Sequence, residues 1–180
     1  MNKIIAIVGM CGSGKSVASD LLVEKGYQKV YFGGVTLTKL KEKELEVTPE
    51  NEKMMREKLR EDLGMGAFAK ILLPQIKELS SHGNVVLDGL YSWDEYKILD
   101  DELGKQMKTI AIICDKKIRY KRLSSREVRP LTKKEAQNRD LAEIENIAKA
   151  PPIAYADYFL FNNGTLEEYQ KRLEEILKEI

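Results

Sequence analysis

The sequence predicts an α/β protein: a three-layer, doubly wound sheet of five parallel strands, with a glycine-rich loop after the first strand. Three observations carry this expectation. Short apolar, β-branched runs recur along the chain, as in strands buried on both faces of a parallel sheet. Segments of helical periodicity alternate with them. The length of 180 residues, 43% of them hydrophobic, suits a single domain spanning 1–180 with ample material for a core.

The first run covers residues 3–9, and others follow at 29–32, 84–88 ("NVVLD"), 107–114 ("MKTIAIIC") and 157–161 ("DYFLF"). Between them lie helical patterns at 16–25, closed by Gly26, at about 36–80, at 93–103, and from 116 to about 150 with a break. Thr48-Pro49 reads as an N-cap followed by proline at the first helical position, and Met55, Leu59 and Leu63 then recur at four-residue spacing. From Thr165 onward, Leu166, Tyr169, Leu173, Ile176 and Ile180 keep the rhythm of an amphipathic helix packed on a sheet. There is no internal repeat or low-complexity stretch, so the longer helical segments read as insertions within one domain.

Thirty Lys and Arg stand against 29 Asp and Glu, a net charge of +1, so no overall field recruits nucleic acid or an anionic membrane. No apolar run approaches the roughly 20 residues that cross a bilayer. Two cysteines, Cys11 and Cys114, are too few for a disulfide framework, and the chain opens on a strand-like run rather than a leader. The expectation is a reduced, cytoplasmic location.

"GMCGSGKS" satisfies G-x-x-x-x-G-K-S through Gly9, Gly14, Lys15 and Ser16, placed after a buried strand and before a helix as the motif requires. Cys11, Gly12, Ser13 and Val17 complete the loop and first turn. Glycines there let backbone N–H groups turn inward around a phosphate, and the helix N-terminus adds partial positive charge. Lys15 is then the group that reaches the terminal phosphates, and Ser16 a ligand for Mg²⁺.

Asp88 ends the run "NVVLDG", and an acid at the carboxyl end of a strand faces the ligand crevice of such sheets. There it either holds Mg²⁺ through water or accepts a proton from the attacking group, unless it merely terminates the strand. The segment 115–139 holds ten Lys or Arg and three acids, a local charge of +7. Arg119, Arg122 and Arg126 fall at i, i+3 and i+7 on one helical face, and Arg129 follows before Pro130. This pattern suits a lid over about 126–134 that stabilises the transferring phosphoryl group, with Arg122 and Arg126 as catalytic cations. A solvated basic helix or a nucleic-acid patch is the bland alternative, which the scarcity of interleaved aromatics disfavours.

Arg56 and Arg60 form an i, i+4 pair within the insertion at about 34–80, suited to an acceptor's phosphate or simply to an exposed helix. Tyr91 and Trp93 after Asp-Gly either stack on an acceptor base or pack the helix. His82 sits in the turn-like "SSHGN" and reads as solvent-facing; Cys11 is a small filler or a redox-sensitive thiol beside phosphate.

With these residues in view, the chain resembles the nucleoside monophosphate kinase superfamily of P-loop proteins, and more closely dephospho-CoA kinases and archaeal adenylate-kinase-related proteins. The likeness runs end to end: "GMCGSGKSVASDLLVEKGY" as the P-loop and first helix, "VVLDGLYS" as the strand ending in Asp-Gly, "DKKIRYKRLSSR" as the lid-side helix, and "ADYFLFNNGTLEEYQKRLEEI" as the last strand, base-side loop and final helix. The resemblance implies that Asn162, Asn163 and Gly164 border the ATP base. Three positions depart from the related group: Gly34 and Leu37 stand where Asp and Arg are usual, and Tyr91 where Arg is.

The sequence therefore leads to the expectation of a phosphotransferase that uses ATP and Mg²⁺ on a nucleotide-like small-molecule acceptor, with Arg56, Arg60 and Tyr91 facing the acceptor. A dephospho-CoA kinase differs only in the acceptor hydroxyl. An ATP-binding switch with slow hydrolysis is the alternative from another class, and a nucleic-acid module using the basic segment ranks last.

Overall fold

The computed structural model describes residues 2–127 and 129–180; Val128, inside the expected lid, and Met1 lie outside the described residues. The strands β1 (Ile4–Val8), β2 (Gln28–Tyr31), β3 (Val85–Asp88), β4 (Met107–Ile113) and β5 (Tyr158–Phe161) form one parallel sheet in the order β2-β3-β1-β4-β5. β1 is central, and its residues are at most 1% exposed. That is why its sequence is apolar throughout instead of alternating.

Side-chain alternation divides the core between two faces. Ile4, Ala6 and Val8 of β1 point to one side, where they meet Phe68 and Ile76 of α4 (Ala67–His82) and Leu99 of α5 (Trp93–Leu103). Ile5 and Ile7 point to the other, against Ala18 and Leu22 of α1 (Lys15–Glu24) and Tyr169 and Leu173 of α9 (Leu166–Glu179). Helix, sheet and helix make three layers. Each fully buried Leu or Ile contributes about 1.5–3 kcal/mol.

The helical stretch expected over 36–80 is three helices: α2 (Gly33–Glu42), α3 (Pro49–Leu63) and α4. Thr48 caps α3 as its sequence implies, its side chain accepting from the Asn51 N–H at 3.2 Å with Pro49 in the first turn. The segment 116–150 resolves into α6 (Lys116–Ser124) and α7 (Lys133–Glu145), followed by a short α8 (Ala150–Ala154) that the sequence reading did not separate. α8 tolerates Pro151 and Pro152 because the first turn of a helix has no use for their missing N–H groups. Reciprocal capping boxes fix the starts of α5 (Ser92 with Glu95), α7 (Thr132 with Glu135) and α9 (Thr165 with Glu168).

β1 pairs with β3 on one side and β4 on the other, through registers such as Ile7 with Asp88 and Val8 with Ala111. From β1 the chain winds first toward β2 and β3, then crosses to β4 and β5. The crevice at the carboxyl ends of the strands around β1 is thus the switch point where such sheets bind ligands.

Candidate active site

The loop between β1 and α1 lies in that crevice. Gly9, Gly12 and Gly14 have φ of 149°, 80° and 98°, a left-handed region that L side chains rarely adopt. Space is closed as well: a Cβ on Gly9 would lie 2.7 Å from the Ile112 carbonyl oxygen, and one on Gly14 would strike the Asn162 amide. The hydroxyl of Ser13 is buried without a partner among the described residues. A cradle of this shape, with an orphaned donor, fits a multiply charged oxyanion.

Lys15 opens α1 and folds its ammonium back onto the Met10 carbonyl at 3.1 Å, across the mouth of the loop. Burial, followed by repulsion from the Lys149 ammonium, brings its pKa down to about 7, with Glu143 and Asp88 opposing the shift. Ser16 stands exposed in the same turn. Asp88, 8% exposed at the end of β3, accepts from the Ser19 hydroxyl at 3.1 Å and pairs with Lys29 at 3.0 Å, both on Oδ2. The described residues contain no cluster of three or more His, Cys, Asp or Glu able to cage a metal. A hydroxyl and a single carboxylate suit the sparse protein ligation of Mg²⁺, which takes its other ligands from phosphates and water.

The arginines of the basic segment divide. Arg119, 6% exposed, is consumed inside the protein: it makes a bidentate bond to Asp140 (2.9 and 2.6 Å) and donates to the Cys11 carbonyl at 2.9 Å. This ties α6, α7 and the glycine loop into one block. Arg122 reaches the Asn162 Oδ1 at 3.3 Å and the Cys114 sulfur at 3.4 Å. Arg126 lies beyond the end of α6, so it does not continue the helical face, and points to the Cys11 sulfur at 3.8 Å. Arg129 in the connection to α7 bonds Glu52 of α3 at 3.1 Å.

Both base-loop asparagines are engaged by the protein. Asn162 donates to the Ser13 carbonyl at 2.7 Å and Asn163 accepts from the Asp115 N–H at 2.9 Å, clamping the end of β5 to the glycine loop and to the start of α6. Tyr169 of α9 adds a bond to the Gly14 carbonyl at 3.0 Å. Beside this clamp, Phe161, Gly164, Thr165, Tyr169 and Arg172 line a cavity of about 180 Å³. A larger hollow of about 800 Å³ is lined by Met10, Leu141, Ile144, Ile153 and Phe159 among others, and of the glycine loop only Met10 is among its lining residues.

In α3, Arg56 pairs with Glu52 at 3.4 Å, while Arg60 lays its guanidinium over the Phe68 ring at 5.2 Å, its Nε buried without a hydrogen bond among the described residues. Burial pushes the Arg60 pKa down. Glu52 is held below the usual carboxylate range by Arg129 first and Arg56 next, so one carboxylate joins the α6–α7 connection to α3. Tyr91 folds over Gly89 at the end of β3, and burial drives its hydroxyl pKa up. Trp93 stacks on Tyr96 at 5.1 Å and meets Tyr155 edge-on, so its ring packs within the protein. His82 is the exposed last residue of α4.

Three residues that the sequence reading passed over complete the site. Glu143 of α7 accepts from the Cys11 N–H at 3.3 Å and from Lys149 at 2.7 Å on one oxygen, and from the Arg139 Nε at 3.3 Å on the other. Lys149 also lies over the Tyr91 ring at 4.8 Å. The i, i+4 spacing of Arg139 and Glu143 was the available signal, and it straddles the end of the segment read for its net charge.

The sheet order and the loop define a P-loop protein of kinase-like fold. A family model described as an AAA domain matches residues 5–145, from β1 through α7. A UPF0200 protein of Sulfurisphaera tokodaii is 36% identical over 99% of this chain and 97% of its own length, and a UPF0200 protein of Thermococcus onnurineus is 31% identical over 98% and 97%. The chain belongs to the UPF0200 family. Among solved structures, TT1252 from Thermus thermophilus shares the fold with a TM-score of 0.68 at 21% identity, covering 99% of this chain and 98% of that one. A shikimate kinase from Bacteroides thetaiotaomicron shares it with a TM-score of 0.63 at 16% identity, covering 98% of each. No helix among the described residues is long and apolar enough to cross a membrane.

Proposed function

We propose that the protein is a cytoplasmic phosphotransferase that uses ATP and Mg²⁺ to phosphorylate a nucleotide or nucleotide-like small molecule. The observation that supports it most is the glycine cradle, with its orphaned Ser13 hydroxyl and a Lys15 of lowered pKa, beside which Arg122 bonds Asn162 and Arg126 reaches the Cys11 sulfur. Transfer of a phosphoryl group needs positioning and charge neutralisation more than covalent participation, and this donor set supplies both. Lys15 and the two arginines stabilise charge on the transferring group. Ser16 and, through water, Asp88 would hold Mg²⁺, which neutralises the phosphate oxygens. Arg56, Arg60 and Tyr91 bind and orient the acceptor, and the cavity at Gly164 and Thr165 receives the base.

Release of ADP in the presence of a panel of nucleoside monophosphates, dephospho-CoA and small hydroxylated metabolites tests the reading. The wild type turns over with at least one acceptor, and Lys15→Ala, folded by circular dichroism, does not. Wild-type turnover in folded Lys15→Ala sinks the assignment, and tight ATP binding without acceptor-stimulated ADP release favours the switch.

A further inference from the structure

Lys149 is 1% exposed, and a buried ammonium persists only where counter-charge and hydrogen bonds hold it. The chain is bent to bring it there. Ala148 has φ of 48°, a left-handed conformation that strains an alanine, and the Lys149 N–H turns back to the Glu143 carbonyl at 3.1 Å. Strain of this kind is retained where the surroundings over-determine the position of a side chain. Here it delivers Nζ to the Glu143 carboxylate at 2.7 Å, with the face of Tyr91 beside it.

Glu143 is itself poorly explained as a stabilising residue. Its oxygens collect a backbone N–H of the glycine loop, the Lys149 ammonium and the Arg139 guanidinium. Lys15 feels both members of the pair, repelled by Lys149 and attracted by Glu143. A backbone N–H of a phosphate loop, an ammonium and a guanidinium form the donor set of a terminal phosphate, which offers three oxygens and nearly two charges where a carboxylate offers two oxygens and one. Arg119 and Asp140 pin α7 one turn earlier, so release of the donors asks for movement of the Glu143 side chain and not for departure of the helix.

We propose that Glu143 is a built-in stand-in for the terminal phosphate of a nucleoside triphosphate, and that Lys149 passes from Glu143 to that phosphate on binding, which makes Lys149 the residue that distinguishes triphosphate from diphosphate. This rests on the phosphotransfer reading and names a phosphate-binding residue within it. No bond is made or broken in the exchange; the ammonium trades one anion for another.

Calorimetric titration with ADP and with the non-transferable β,γ-imido analogue of ATP, both with Mg²⁺, tests it. Because in Lys149→Met the Glu143 carboxylate still holds the loop N–H and Arg139, the comparison is between Glu143→Gln, whose amide oxygen can still accept from Lys149, and the double variant Glu143→Gln/Lys149→Met. Glu143→Gln binds the triphosphate analogue several-fold more tightly than wild type, since its competitor for the donors is discharged. Adding Lys149→Met then weakens the analogue by about tenfold or more, the loss of one charge-assisted contact, and leaves ADP within about twofold. ADP affinity also reports that both variants are folded. If the double variant keeps the triphosphate-to-diphosphate ratio of Glu143→Gln, or loses both ligands equally, the role of Lys149 is refuted while the phosphotransfer reading stands. A wild type that binds neither nucleotide overturns both.

Discussion

Lys15 should take up a proton when ATP binds. In the unliganded protein its pKa is about 7, lowered by burial and then by the Lys149 ammonium. At pH 8 a group with that pKa is only about one-tenth protonated, and phosphates placed against it restore the charged form. Binding at pH 8 is therefore accompanied by uptake of most of a proton, and the share due to Lys15 falls away toward pH 6, where Lys15 is already charged. At pH 8 the terminal phosphate, with a pKa of about 6, is fully ionised and contributes no proton of its own. Calorimetry at each pH in buffers of different ionisation enthalpy reads the number of protons directly from the slope of apparent enthalpy. The sign carries over to stability. The unfolded lysine holds its proton up to about 10.5, so the penalty for charging buried Lys15 is fully present below about pH 7 and is relieved as pH rises between these values. A wild-type slope of zero at pH 8 refutes the assignment of a discharged Lys15 in the loop.

Arg119→Ala leaves Asp140 buried and unpaired and removes a bond to the glycine loop, so urea denaturation should show a loss of about 3–5 kcal/mol. Arg119→Lys, unable to reproduce the bidentate contact, should recover only part of it. Gly14→Ala forces a left-handed alanine against Asn162, and a fall in stability of about 1–3 kcal/mol should come with a larger fall in ATP affinity, measured on the same preparation. Thr48→Ala removes the cap of α3 and should lower stability by about 1 kcal/mol without changing ATP affinity, a control for changes remote from the loop. Glu52→Ala unties Arg129 from α3, and faster proteolysis of the α6–α7 connection should report it.

The sequence by itself determined the sheet, the glycine cradle and the acid at the end of β3, because each is written in neighbouring residues. A run of branched apolar residues can satisfy its backbone only as a strand buried on both faces, and the spacing from Gly9 to Ser16 dictates a loop opening into a helix. The cap of α3 was legible for the same reason, since a cap and its partner lie within one turn. Charge in the basic segment was legible only as a total. Which arginine is spent on the fold and which faces the site depends on Asp140, 21 positions along from Arg119, and on the Cys11 carbonyl, 108 positions away. The Glu143 bond to the glycine loop spans 132 positions and joins a residue in an acidic, helix-forming stretch to one in a turn. Periodicity carries no information at such a distance. Only the winding of the chain about β1, which brings α7 and the turn at Ala148 beside the loop, decided that the glycine loop has a carboxylate and a second lysine next to it.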